Sequence, residues 1–600
     1  MRRAAVLIVL AASLATASSR AAFAQWPAGG VPVGTALGDR WAPVVCSDGA
    51  GGGIVGYLES ARTRAQAFGA FAAPDSGWSA LDGRLVAPDA PMGNNLQRSV
   101  RIATDGAGGA FVLWHDQRHS GCGISCEMEY GELYVTHLLH DGSIAAGWSS
   151  AGDPIGTALN YMYAWGNGPG NPTDFNPVVA PDSEGGLLVA WTENWYPVFS
   201  GAVAGVHAQR VAADGRLLWG ARGVLVAHAR GLQAYPAIAA SGDGGATILW
   251  QDSRDDTTSF RIYGQRLSAD GAPIWTDGGR PVTHGLVRGE ASVMIAGLDR
   301  GELSFGWLAG AAPDSVVAMA QRVDATGAPV WPGDVMLSGP AHAVAELDAA
   351  RDAGGGAIFA WTDGSAEGNS FRALRLTRTG VPACGWAEDG NTVSAAAIVP
   401  RGGPKLVAGA SGDAFVAWVE ADQPRVARMT ASGALADGWS DAGLLLSGDA
   451  GYDGELAVAP DGEGGALVAW SNVEAAYPGD GIVRLQRLSR SGVWSGTSGP
   501  ADPLPDSCVT IAQPAVEGFR PNPTRAGAAT VSFVLPSAGS VRLELYDLTG
   551  RRLGSQDQSG LAAGRHTIPL MLRRSVPPGV YFVRLTQGGR SSTARGVVLP

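Results

Sequence analysis

Six acidic side chains occupy one recurring place in this chain of 600 residues. Glu59, Asp116, Glu193, Asp252, Asp363 and Glu420 each stand two residues beyond an aromatic that closes a short apolar run, and Ala309 and Asn472 fill the same place in two further copies. A ring of carboxylates could bind a cation or set a general acid against a base, and glycoside hydrolysis asks for two carboxyls about 5 to 10 Å apart. The competing reading is local. Acids at the start of a loop bond the turn's own N–H groups or pair with arginines such as Arg118 and Arg254. A second group is aromatic: Tyr161, Tyr163, Trp165, Trp195, Tyr196 and Phe199 are interspersed with Asn167, Asn171, Asp174 and Asn194. Ring faces stack on the apolar surfaces of sugars and peptides while amides and carboxylates read their polar groups; alternatively such rings pack together and stiffen a long loop. The ligand-binding set expected from both groups is Tyr161, Tyr163, Trp165, Trp195, Tyr196, Asp116, Asp174, Glu193 and Asp252. No catalytic residue is assigned.

A third group holds His115, His119, Cys122 and Cys126, followed by His137 and His140. Its spacing could suit zinc, but in an exported chain Cys122 and Cys126 are expected to form a disulfide, so no metal is assigned. His137 occupies the place of Arg210 and Arg266 in sister segments, which reads as drift within a repeat. Cys46, Cys384 and Cys508 are too scattered to pair from sequence, and with five cysteines at least one lacks an intramolecular partner. The chain has no G-x-S-x-G elbow, no H-E-x-x-H and no phosphate loop, and no cofactor is expected. Its 55 acids against 43 basic residues give a net charge of -12, with Lys405 as the single lysine, which argues against a nucleic-acid partner.

These groups must be carried by a repeat. Asp461-Gly-Glu-Gly-Gly-Ala-Leu-Val-Ala-Trp470 is a glycine-rich turn running into an apolar strand that ends on tryptophan. Copies end at Trp114, Trp191, Trp250 and Trp361, and decayed copies at Tyr57, Trp307 and Trp418. Before each core lies a short strand, often after a proline, as in Pro177-Val-Val-Ala180 or Pro236-Ala-Ile-Ala239. After it come a loop, a strand such as Ile262-Tyr-Gly-Gln-Arg-Leu267, an Asp-Gly turn and a last strand marked by Trp219 or Trp275. Four short strands with hairpin turns, recurring every 50 to 60 residues or so, predict an eight-bladed β-propeller over residues 25–494. Trp26-Pro-Ala-Gly-Gly-Val-Pro-Val33 matches Trp219-Gly-Ala-Arg-Gly-Val-Leu-Val226, the outer strand of a blade, so the N-terminal strand is expected to complete the last blade.

Strand alternation divides the loops between two edges. The glycine cores and Asp-Gly turns share one edge, while the long insertions at 115–131, 160–176 and 192–205 share the other, in blades two and three. Functional variation concentrates in such loops. The glycine cores read as scaffold, their glycines supplying positive φ for a tight hairpin.

At the ends the pattern changes. Met1-Arg2-Arg3, the mostly apolar run 4–15 and Ala22-Phe23-Ala24 before Gln25 form the three parts of a secretory signal peptide over residues 1–24. No later stretch is long and apolar enough for a transmembrane helix. Residues 495–513, with Pro500, Pro503 and Pro505, read as a linker. Beyond it, Thr530-Val-Ser-Phe-Val-Leu535, Val541-Arg-Leu-Glu-Leu-Tyr546 and Val580-Tyr-Phe-Val-Arg-Leu585 alternate as half-buried strands, so the fold class is all-β, a propeller followed by a small Ig-like β-sandwich at 514–600.

This last segment resembles a family. Phe519-Arg-Pro-Asn-Pro523, Leu545-Tyr-Asp-Leu-Thr-Gly-Arg551, Ala563-Gly564 and Pro578-Gly-Val-Tyr-Phe582 are similar to the C-terminal sorting domain of type IX secretion substrates and to the Ig-like domain of flagellar hook-capping proteins. The resemblance implies delivery by secretion or surface-attachment machinery, and a secreted or cell-surface location. The chain departs from the family in its lysine-free last strand, which ends Ala594-Arg-Gly-Val-Val-Leu-Pro600. The function expected is a non-catalytic platform for a glycan or protein ligand on the long-loop face of blades two and three. The alternatives are a polysaccharide-acting hydrolase or lyase, and a surface structural protein with no small ligand.

Overall fold

The computed structural model describes residues 26–599 apart from a set of connecting segments, the longest of which are 87–96, 119–131, 157–175 and 494–513. Every regular element among the described residues is a β-strand. No helix among them is long and apolar enough to cross a membrane.

The glycine cores build the hairpins that start each sheet. In the copy at Asp461 the carboxylate accepts the N–H groups of Glu463 and Gly465 at 2.8 and 2.7 Å, while Gly462 and Gly464 adopt φ of 81° and 89°. The turn therefore folds on its own side chain. In the strand that follows, Ala466–Val473, residues 466–472 are buried because further sheets cover both faces.

Seven four-stranded antiparallel sheets form in succession along the chain, followed by one of five strands that takes in Val31–Pro32, and each core lies on the second strand of its repeat. The fifth, for example, comprises Met294–Asp299, Glu302–Ala309, Val317–Val323 and Val335–Met336. The first strand of every sheet packs beside that of the next, and Tyr452–Pro460 of the last packs beside Arg40–Ser47 of the first. This is a repeated, propeller-like β-sheet plan.

Two tryptophans per repeat hold the sheets together. The core aromatics, from Tyr57 through Trp470, are fully buried. All of them except Trp307 press on a glycine just before the sheet's outermost strand; a Cβ on Gly279, whose φ is +83°, would lie 2.3 Å from the Trp250 ring. Only glycine fits there. The second tryptophan spans two sheets: the indole N–H of Trp219 donates to Ala269 O at 3.0 Å, and Trp275 to Ala325 O at 2.9 Å.

The chain's two ends meet in one sheet. Val31 and Pro32 pair with Leu485 and Arg484. The Val33 N–H donates to Val483 O at 2.8 Å. Gly30 stands against Trp470 as Gly279 stands against Trp250, and the Trp26 indole donates to Ala70 O at 2.9 Å.

Residues 515–599 form two further sheets, one of three strands and one of five, sharing a core of Phe519, Phe533, Leu543 and Val583 among others. Phe519 lies against Gly596, where a Cβ would fall 1.8 Å from the ring.

Candidate functional site

The structure places the recurring acids in separate local locks. Asp116 accepts the Trp114 indole N–H at 2.9 Å, the Arg118 backbone N–H at 2.8 Å and the Arg118 guanidinium at 2.6 Å. Burial works to raise its pKa, but these Arg118 and Trp114 bonds outweigh it and hold the carboxyl below its ordinary value. Asp252 repeats the arrangement with Trp250 at 2.8 Å and Arg254 at 2.6 Å. Each arginine then lies over a tyrosine, Arg118 on Tyr134 at 4.0 Å and Arg254 on Tyr263 at 4.3 Å. Glu193 faces His207 at 2.8 Å. Glu59 pairs with Arg40 and Arg64, Asp363 with Arg372 at 3.5 Å, and Glu420 with Arg425 at 3.4 Å.

Trp195 is the one aromatic of the expected set whose backbone is described. Its strand, Leu187–Trp195, continues past the predicted loop start and pairs Trp195 with Val203. Tyr161, Tyr163, Trp165, Asp174 and Tyr196 lie outside the described residues, as do Cys122 and Cys126. Cys384 is disulfide-bonded to a partner outside the described residues, and Cys46 is a free, buried thiol. His137 bonds Asp105 at 2.9 Å and stacks on Phe111 at 4.3 Å between ring centroids. It thereby fills the place of Arg210, which pairs with Asp182 at 2.9 Å. Among the described residues no group of three His, Cys, Asp or Glu side chains could hold a metal ion.

The opposite edge carries a second series of locks. In several repeats a carboxylate of the glycine turn also takes a guanidinium from the third strand: Arg428 to Asp413 and Arg487 to Asp461, both at 2.9 Å. Arg487 is fully buried and bonds Glu463 as well, at 2.7 Å. These residues are scaffold.

A different chemistry lines the axis. A cavity of about 1170 Å³ opens among the first strands of six sheets. Bulges in these strands aim single residues inward through left-handed backbone, at Ala42, Ser99 and Glu346 with φ of 54°, 54° and 52°. Two residues further on is a position that pairs with the residue just before the core aromatic in every sheet. It is Val44, Val178, Ala237, Met294 or Ala457 in five sheets, but Arg101, Asp348 and Lys405 in the other three.

Two of the charged residues bridge sheets. The Arg101 Nε donates to Pro177 O at 2.9 Å, and Asp348 accepts the Leu406 N–H at 2.8 Å and that of Ala349 at 2.9 Å. Asp348 is half-buried in the cavity wall. Burial pushes its pKa up, and the Lys405 charge with the two N–H donors only partly offsets this. Glu346 and Lys405 are exposed to the cavity and form no hydrogen bond or ion pair with any described residue. The Glu346 side chain leans onto Gly403 of the next sheet, where a Cβ would come within 2.6 Å of its carboxylate. The sequence did hold a signal of this: Pro404-Lys405 stands where sister strands read Pro177-Val178 and Pro236-Ala237, a charge in place of a small apolar residue.

No protein-family model matches the chain, and no curated protein matches it. Among solved structures it is similar to prolyl oligopeptidase B from Galerina marginata, with 10% identity and a TM-score of 0.37 over 73% of this chain and 56% of that one. It is also similar to a subtype N11 neuraminidase-like protein of A/flat-faced bat/Peru/033/2010, with 10% identity and a TM-score of 0.30 over 55% of this chain and 89% of that one. A putative exo-beta-1,3-galactanase from Bifidobacterium bifidum s17 has 12% identity and a TM-score of 0.25 over 44% and 92% of the respective chains. The chain thus spans little more than half the length of the oligopeptidase. At this level the likenesses say nothing of substrate or chemistry.

Proposed function

We propose that the chain is an exported eight-bladed β-propeller that binds a glycan or protein ligand on the long-loop edge of its second and third blades without transforming it. Its N-terminal strand closes the eighth blade. The two-sheet unit at the C-terminus is an Ig-like sorting or attachment domain that hands the propeller to secretion or surface-attachment machinery.

The observation that supports a binding role is the state of the carboxylates on that edge. Asp116 and Asp252 each accept their own tryptophan and arginine side chains at one oxygen and that arginine's backbone N–H at the other, so neither is free to pass a proton to a substrate. A glycan array run beside a polysaccharide-hydrolysis screen tests the reading. Binding without turnover is expected, lost on Trp165→Ala and Trp195→Ala; turnover that disappears on Asp116→Asn or Asp252→Asn would establish the hydrolase or lyase instead.

A further inference from the structure

The axial cavity exposes two charges of opposite sign that form no ion pair with any described residue, although Lys405 acts on the neighbouring Asp348. Elsewhere in the repeats, buried arginines and acids are consumed by each other, as at Arg487 and Asp461. Glu346 and Lys405 are not, although the five apolar sister residues show that the scaffold needs no charge at the Lys405 position. Glu346 rests on Gly403, and Lys405 stands two residues further along the same segment, a backbone step of roughly 7 Å. Both side chains are long, so one small zwitterion can donate its ammonium to Glu346 and accept at its carboxylate from Lys405 in charge-assisted hydrogen bonds. On another wall of the cavity, Trp41, Pro43 and Val44 offer an apolar surface.

We propose that this cavity binds a small zwitterion with an apolar body, an amino acid or a short peptide, its ammonium held by Glu346 and its carboxylate by Lys405. Asp348 stays on its backbone donors, beside Lys405. This proposal does not rest on the ligand reading of the long loops, and neither depends on the other.

Calorimetric titration of the full chain with free leucine and with leucyl-leucine tests the proposal. Heat with leucine identifies a free amino acid, and heat with the dipeptide alone identifies a peptide; no heat from either up to about 10 mM overturns the proposal. N-acetylation of the bound probe should weaken binding roughly tenfold or more in the wild type and have no further effect in Glu346→Gln. C-terminal amidation should behave likewise in Lys405→Met, and blocked probes that bind as tightly as the zwitterion refute it. Because Lys405 is the single lysine, the NMR signal of isotope-labelled lysine reports occupancy in the unmutated protein. The bound probe should shift that signal, and an unchanged signal under saturating probe overturns the assignment even where a variant fails to fold.

Discussion

Acids on the turn edge and acids on the axis of the same repeats live in opposite circumstances. Asp105 is buried, which alone would raise its pKa, yet the His137 bond and the N–H groups of Ala107 and Gly109 bring it below the ordinary value. Asp348 is half-buried beside fewer donors and is pushed up instead. The difference lies in whether the repeat supplies a dedicated cation. The turn edge places an arginine or histidine on the third strand opposite nearly every turn carboxylate, so charge there is a fastening. The axial position has no such partner built into the repeat. Charge there costs desolvation without an equivalent return from the fold.

The sharpest way to break this contrast is to remove one cation from each region. Arg487→Met strands the Asp461 carboxylate in the interior and should cost about 3–5 kcal/mol in chemical denaturation. Lys405→Met should change stability by less than about 0.5 kcal/mol. Equal losses would mean that the axial charge is structural after all. The inter-sheet indoles come next in size. Trp219→Phe forfeits the bond to Ala269 O and some ring volume, an expected loss of about 2 kcal/mol. Trp26→Phe should match it, because its bond to Ala70 O ties the sheet that holds the N-terminal strand to the first sheet in the same way. A clearly smaller loss at Trp26 would mean that the N-terminal strand does not fasten the ring.

Smaller effects follow from pH, with opposite signs for the two regions. Asp116 has its folded pKa below the ordinary 3.8, so its stabilisation is present above that value and is lost as pH falls through the folded pKa. The melting temperature of Asp116→Asn relative to wild type should therefore be lowest near neutrality and recover in acid. Asp348 has its folded pKa above 3.8, so the wild type keeps that stability below 3.8 and loses it as pH rises through the folded pKa. Relative to wild type, Asp348→Asn should improve as pH rises. Parallel slopes in the two variants would erase the distinction.

The turn edge was legible in the sequence because one hairpin device is repeated with little change: an aspartate, glycines in fixed places and a tryptophan nine residues on. The Gln-Arg pair of the third strand was visible too, though not that Arg210 reaches back to Asp182. The axis was not legible. Aligning the copies on their glycines says nothing of the bulges, because φ of 54° at Ala42 or 52° at Glu346 is imposed by strand packing and not by residue type. The acids two residues beyond the core aromatic were found at once, but their two readings could be separated only by distance. Asp116 and Asp252 turn to their own arginines because the strand ends there and the next N–H points back at the carboxylate.

The smallest expected effect bears most directly on why Glu346 is there. A glutamate at φ 52° is strained by about 1 kcal/mol or more, whereas glycine adopts that backbone freely and loses about 0.5–1 kcal/mol of entropy on folding. Glu346→Gly should therefore leave the unfolding free energy within about 0.5 kcal/mol of wild type, or raise it slightly. Sister residues Ala42 and Ser99 meet the same backbone with short side chains, so the bulge itself does not ask for a long acidic one. If the variant instead loses about 2 kcal/mol, the packing of Glu346 on Gly403 is what holds these two sheets together, and the axis joins the turn edge as fastening. If stability is unchanged while binding of the zwitterion is lost, the residue is retained for what enters the cavity, because the fold is no worse without it.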